Sequence, residues 1–138
     1  MVVEFFDPLM DQTIAMLEEA RAYVAEEGPR ERMDLSVEVG LSASVESMRV
    51  VSRLTQVMAW ILTQRAVLHG EMTADEAKEP QQRLGGLELC MNNGAAADRR
   101  LPAKLRSLLT RSYELYCRVE RLDRTHNDRQ PAPFTREQ

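Results

Sequence analysis

The chain has 138 residues, enough for one domain with a real core and too few for two. Hydrophobic residues make up 43% and aromatics only 5%, so a core must rest on Leu, Val, Ala and the eight Met, which favours helices over strands. Net charge is −4, the longest unbroken apolar run is V-M-A-W-I-L, and the acidic opening M-V-V-E-F-F-D lacks the basic start of a signal peptide. These features exclude a membrane-spanning helix and predict a soluble, cytoplasmic protein.

Charge is unevenly distributed along the chain. Residues 1–34 carry nine acidic and three basic side chains, and residues 100–138 carry nine basic and five acidic ones. The two ends are complementary, either because the first and last helices are neighbours or because each steers a different partner. Cys90 and Cys117 stand apart without a pattern, as free thiols do in a reducing compartment.

In chain order, Asp7 caps a first helix with Pro8 at its opening position, and the helix runs over 8–27 to the stop Gly28-Pro29. Met10, Ile14, Leu17 and Val24 keep one face, which Leu9, Met16, Ala20 and Tyr23 widen. The segment P-R-E-R-M-D-L connects it to a second helix over 36–69, capped by Ser36 and ended by Gly70. At 1.5 Å per residue this helix spans about 50 Å.

Its apolar residues cover an arc of about 200° and form two stripes. Val50, Leu54, Val57, Ile61 and Leu68 make one, and Leu41, Met48, Val51, Met58 and Leu62 make the other. An arc of that width calls for at least two packing neighbours, so this is the central helix. The remaining strip carries Glu46, Arg49, Arg53, Gln56, Trp60 and Gln64. Arg and Trp are enriched at binding hot spots, whereas the plainer alternative lays Trp60 over the flank of a neighbouring helix.

Thr73-Ala-Asp-Glu76 reads as a capping box for a short helix over about 74–84, kinked at Pro80. Gly85-Gly86 and N-N-G-A-A-A-D make 85–100 the loosest internal stretch, a mobile connector. Leu101-Pro102 opens the last helix, over 103–124. Its stripe of Leu105, Leu108, Leu115, Val119 and Leu122 is broken only by the small Ser112. The tail 125–138, with Phe134 as its one apolar anchor, is expected to be disordered.

The expected architecture is all-α: a three-helix bundle over 1–124 with a long central helix and a short extra helix in the second connector. With lengths of about 20, 34 and 22 residues, the middle helix overhangs its partners by roughly 20 Å. A homodimer is the simpler way to cover a continuous apolar stripe.

Catalytic chemistry has little to draw on. Of two histidines, His69 sits at a helix end, where the dipole stabilises it, and His126 opens the tail. Asp123-x-x-His126 is the nearest approach to a metal motif, and neither cysteine has a neighbouring base, so no catalytic group, cofactor or metal is expected. Lys104, Arg111, Arg118 and Arg121 share a side of the last helix, but Glu114 and Glu120 interrupt it and the pI is about 5.3. Nucleic-acid binding is the lesser reading. What remains is a non-enzymatic protein that binds other proteins, with a DNA-associated helical regulator or a dimeric scaffold as alternatives.

Two motifs are long enough to compare with known families: R-L-T-Q-V-x-x-W-x-L-x-Q-R-A-V-x-x-G-E, from Arg53 to Glu71, and L-Y-x-R-V-x-R-L-D, from Leu115 to Asp123. Over about Leu9 to Asp123 the chain resembles the RcdA family, alphaproteobacterial regulators of CtrA degradation. That resemblance implies a dimerising three-helix bundle that serves as an adaptor for the ClpXP protease. It would join a protease primed by a response-regulator-like adaptor and tether protein substrates in cell-cycle-controlled proteolysis. Carried onto this chain, it points to partner contacts at Arg49, Arg53, Gln56, Trp60, Gln64, Arg118 and Arg121, with Arg65, Tyr116 and Asp123 as further matching positions.

Overall fold

A computed structural model describes residues 2–128, with side chains from Phe6 to Thr125. It contains α1 (Val2–Ala22), a π-helical turn (Tyr23–Glu27), α2 (Gly28–Arg32), α3 (Val37–Leu68), α4 (Leu87–Cys90) and α5 (Ala103–Asp128). Single 3₁₀ turns occupy Glu76–Lys78, Pro80–Gln82 and Gly94–Ala97, and no strand occurs among the described residues. The expected all-α bundle is present, with α3 at its centre.

The first helix departs from expectation at both ends. It begins at Val2, so Pro8 lies inside it rather than at its start. An interior proline costs about 3 kcal/mol through its missing N–H and its clash with the preceding turn. Burial of Phe6 and Leu9 on either side of Pro8 offsets that cost, each such side chain contributing about 1.5–3 kcal/mol. At the other end Gly28-Pro29 does not stop the chain. The helix widens through a π turn in which the Gly28 N–H donates to the Tyr23 carbonyl, and Pro29 falls in the first turn of α2, where no N–H is needed. The Tyr23 hydroxyl donates to Glu31 at 2.7 Å across the turn.

Continuous helix from Val2 to Arg32 makes the first arm nearly as long as the 32 residues of α3, and α5 runs on to Asp128. The expected overhang of the central helix is therefore absent, and with it the length argument for a dimer. Residues 125–128, assigned to the tail, belong to α5; Phe134 and the rest of 129–138 lie outside the described residues.

α3 itself starts as expected, with Ser36 extended and its hydroxyl accepting from the Val39 N–H at 3.2 Å. Its orientation is the larger surprise. The stripe of Val50, Leu54, Val57 and Ile61 faces the core against Leu9, Met16, Leu105, Leu108, Leu115 and Val119. The second apolar stripe faces outward, with Leu41 and Met48 each 65% exposed and Leu62 53% exposed. The supposed outer strip turns inward instead: Glu46, Arg53, Trp60 and Gln64 are all buried.

The charge asymmetry of the two ends has its simpler explanation. Arg111 on α5 makes a two-pronged pair with Glu19 on α1 at 2.8 and 2.6 Å, and Lys104 lies 3.7 Å from Glu19 and 3.9 Å from Glu27. Each exposed pair contributes about 0.2–1 kcal/mol.

Candidate protein-binding site

The inward polar strip of α3 holds the second connector, which is no loose loop and whose short α-helix is α4, later than the expected 74–84. The capping box forms: the Glu76 N–H donates to the Thr73 hydroxyl at 3.0 Å and the Thr73 N–H to the Glu76 carboxylate at 2.9 Å. Glu79, just before Pro80, is forced into an extended conformation, so two separate 3₁₀ turns replace the helix expected over 74–84. Beyond them, residues 82–93 form a strap laid across α3 and α5, which turns its own Leu84 and Cys90 into the core.

Arg53 is the centre of that attachment and is fully buried. Its Nε donates to the Cys90 carbonyl at 2.8 Å, Nη1 to the Leu109 carbonyl at 2.9 Å and the Ser112 hydroxyl at 3.1 Å, and Nη2 to the Asn92 carbonyl at 2.8 Å and Asn93 Oδ1 at 3.4 Å. Those five bonds match the five donors of a guanidinium. The guanidinium also lies 5.2 Å from the centre of the Tyr113 ring. Burial lowers the Arg53 pKa below its ordinary value, yet arginine remains charged. Ser112, the one break in the α5 stripe, makes room for this side chain. Burial also raises the Cys90 thiol pKa, the opposite of what an activated nucleophile needs.

Two further attachments follow along α3. One turn after Arg53, Gln56 Oε1 accepts from the Gly85 N–H at 3.1 Å, while the Tyr116 hydroxyl donates to the Gly85 carbonyl at 2.6 Å. A Cβ on Gly85 would stand 2.8 Å from Gln56 Oε1, and Gly86 has φ of +75°, so this Gly-Gly pair is a close approach followed by a left-handed turn. Trp60 donates from Nε1 to Asp123 Oδ1 at 2.8 Å and meets Phe6 edge to face at 5.9 Å. Asp123 Oδ2 accepts from Arg83 Nε at 3.0 Å. Trp60 and Asp123 thus tie α1, α3, α5 and the strap together.

The residues matched by resemblance therefore divide. Arg53, Trp60 and Gln64 are interior, which corrects the expectation that they present a surface to a partner; for Arg53 and Trp60, facing elements provide the hydrogen bonds. Arg49 is half-buried, pairing with Glu46 at 2.7 Å and donating to the Leu89 carbonyl, and Gln56 serves the strap. Arg65 reaches back to α1, 3.7 Å from Asp7 and 3.0 Å from the Met10 sulfur. Only Arg118 and Arg121 stand exposed, on the side of α5 that faces α1. Asn92 and Asn93 had no sequence signal beyond lying in a Gly/Asn-rich stretch, and Arg83 only its place in the R-L pair that the family resemblance takes in. His69 is an exposed cap at the end of α3.

Among the described residues no group of three His, Cys, Asp or Glu side chains could hold a metal, and no helix is long and apolar enough to cross a membrane. Two surface features remain. One is the outward apolar stripe of α3, which continues into a groove of about 480 Å³ lined by Ile14, Leu17, Val24 and Val51. The other is a polar groove of about 320 Å³ between α1 and α5.

The fold is an all-α bundle whose buried polar groups brace a strap and whose open surfaces include an apolar stripe and a basic groove. The family described as "Protein of unknown function (DUF1465)" matches residues 1–137, and the crystal structure of RcdA from Caulobacter crescentus CB15 superposes with a TM-score of 0.72 at 33% identity. That likeness covers 93% of this chain and 96% of the other. The chain belongs to this family, and RcdA is a solved structure to which it is similar. No curated protein sequence matches it.

Proposed function

We propose that this chain is a non-enzymatic adaptor of the RcdA type, which helps deliver protein substrates to the ClpXP protease. The observation carrying this reading is the match to RcdA across nearly the whole of both chains. Adaptor action needs no reacting group; it raises the local concentration of substrate at the protease even when each contact is weak.

The working unit in this proposal is a cytoplasmic homodimer. The support is the outward stripe of α3, where Leu41, Val45, Met48 and Leu62 are exposed together beside the Ile14–Leu17 groove. Large contiguous apolar surface of this kind is a mark of an interaction site, and a second copy presents an equally apolar face to it.

The test is reconstitution with ClpXP, its response-regulator-like adaptor and a candidate substrate from the same organism. Addition of this chain should accelerate substrate loss over the primed protease alone. An unchanged rate across the substrates that depend on priming would overturn the adaptor reading.

A further inference from the structure

We infer that the groove between α1 and α5 is a docking site for an acidic peptide segment of a partner protein, held by Arg118 and Arg121 over an apolar floor. The inference rests on the reading of the chain as a protein-binding adaptor and names the chemistry of one partner contact.

The first observation is the state of the arginines on α5. Arg106 donates to the Leu101 carbonyl, Arg111 is paired with Glu19, and Arg124 is paired with Glu120. Arg118 and Arg121 are exposed, and their guanidinium groups make no hydrogen bond or ion pair among the described residues. Three residues apart, they lie on the same side of the helix. Two unpaired guanidinium groups there form a fork suited to carboxylates.

The second observation is the shape between them and α1. Met16 and Leu115 form an apolar floor, and Gln12 on α1 offers a free amide on the opposite wall. The Arg111–Glu19 pair closes one end. From Arg111 to Arg121 the helix rises about 15 Å. An extended chain covers that length with four or five residues at about 3.3 Å each. The fitting occupant is a short run of carboxylates around one apolar side chain, its backbone within reach of Gln12.

A nucleic acid fits less well. The floor is apolar, and Lys104 and Arg111, which would extend a phosphate track, are already occupied by Glu19. A phosphodiester backbone gains from a continuous basic strip, whereas a mixed peptide can place its leucine on the floor and its carboxylates on the two free arginines.

The test uses the full chain and a fluorescein-labelled peptide of sequence GSEDLEDSG, titrated by anisotropy at low salt. Saturable binding is expected. It should weaken about tenfold when Arg118→Glu and Arg121→Glu are combined, and change little with the equal charge change Arg30→Glu plus Arg99→Glu on exposed arginines elsewhere. The amide peptide GSQNLQNSG should not bind, and replacing the leucine by serine should weaken binding. Circular dichroism of both double variants checks that the bundle is intact; should the groove pair unfold it, Arg118→Gln plus Arg121→Gln takes its place with the same expectation. The inference is overturned by absence of saturable binding up to millimolar peptide, by equal weakening in both double variants, or by a single-stranded oligonucleotide of equal charge that binds more tightly and displaces the peptide. Because the readout involves no protease, loss of peptide binding and failure of the degradation assay are separate outcomes.

Discussion

Replacing Arg53 by methionine tests whether the strap is held by polar attachment rather than by its own small apolar content. Methionine keeps most of the aliphatic stem and removes five donors. The acceptors at Asn92 and Asn93 lie nearer the surface and can turn to water, and Ser112 Oγ retains its 3.3 Å bond to the Leu109 carbonyl. The cost falls on the buried Cys90 carbonyl, left without its partner at about 1–3 kcal/mol, and on the Leu109 carbonyl, which keeps the Ser112 hydroxyl but loses a bond to a charged donor, about 1.5–3 kcal/mol. Removing a buried charge returns part of the guanidinium's desolvation cost, which leaves a net loss of about 2–4 kcal/mol. Trp60 is the only tryptophan and is 1% exposed, so its fluorescence reports global unfolding in urea. With a slope near 2 kcal/mol per molar, the midpoint should fall by roughly 1–2 M at fixed protein concentration. Amide exchange should quicken first over residues 82–93. Arg53→Lys keeps the charge with three donors in place of a planar fork and should recover little. A midpoint within about 0.3 M of wild type, with strap amides still protected, would refute the reasoning.

Three further outcomes are expected. Trp60→Phe preserves the contact with Phe6 but leaves Asp123 Oδ1 without the indole donor; a loss of about 1–2 kcal/mol should lower the melting temperature by roughly 4–8 °C in calorimetry. Arg111 holds the Glu19 pKa below its usual value, so Glu19 contributes stability that is present above the unfolded carboxylate's pKa and lost as pH falls through the folded one. Glu19→Gln should therefore destabilise at neutral pH by no more than about 1 kcal/mol and lose less than wild type on acidification below about pH 4.5, read from urea titrations at several pH values. Met48→Glu with Leu62→Glu places charge on the outward stripe of α3; light scattering should show a dimer becoming a monomer with unchanged helicity, and a monomeric wild type at micromolar concentration contradicts the proposed homodimer.

The elements and their order are largely present in the primary structure. Ser36 caps α3, the Thr73–Glu76 box closes, and the three-four spacing from Leu105 to Leu122 produces α5, because each of these depends on residues within a turn or two. The limits of the first helix were not legible, since proline is a stop only when no distant group compensates. Phe6 finds Trp60, and a π turn removes the need for a Pro29 N–H.

What only the tertiary structure decided is which way α3 faces. A helical wheel ranks arcs by average polarity, and by that measure Leu41, Met48 and Leu62 belong inside while Arg53 and Trp60 belong outside. The opposite holds because Trp60 and Arg53 are mostly apolar surface with a few polar atoms, and those atoms find partners at Asp123, Cys90, Asn92 and Leu109, thirty-seven or more positions away. Hydrogen-bond satisfaction over such separations leaves no periodic trace, so a chain whose sequence specifies a bundle of helices keeps the choice of its buried and open faces for the folded state.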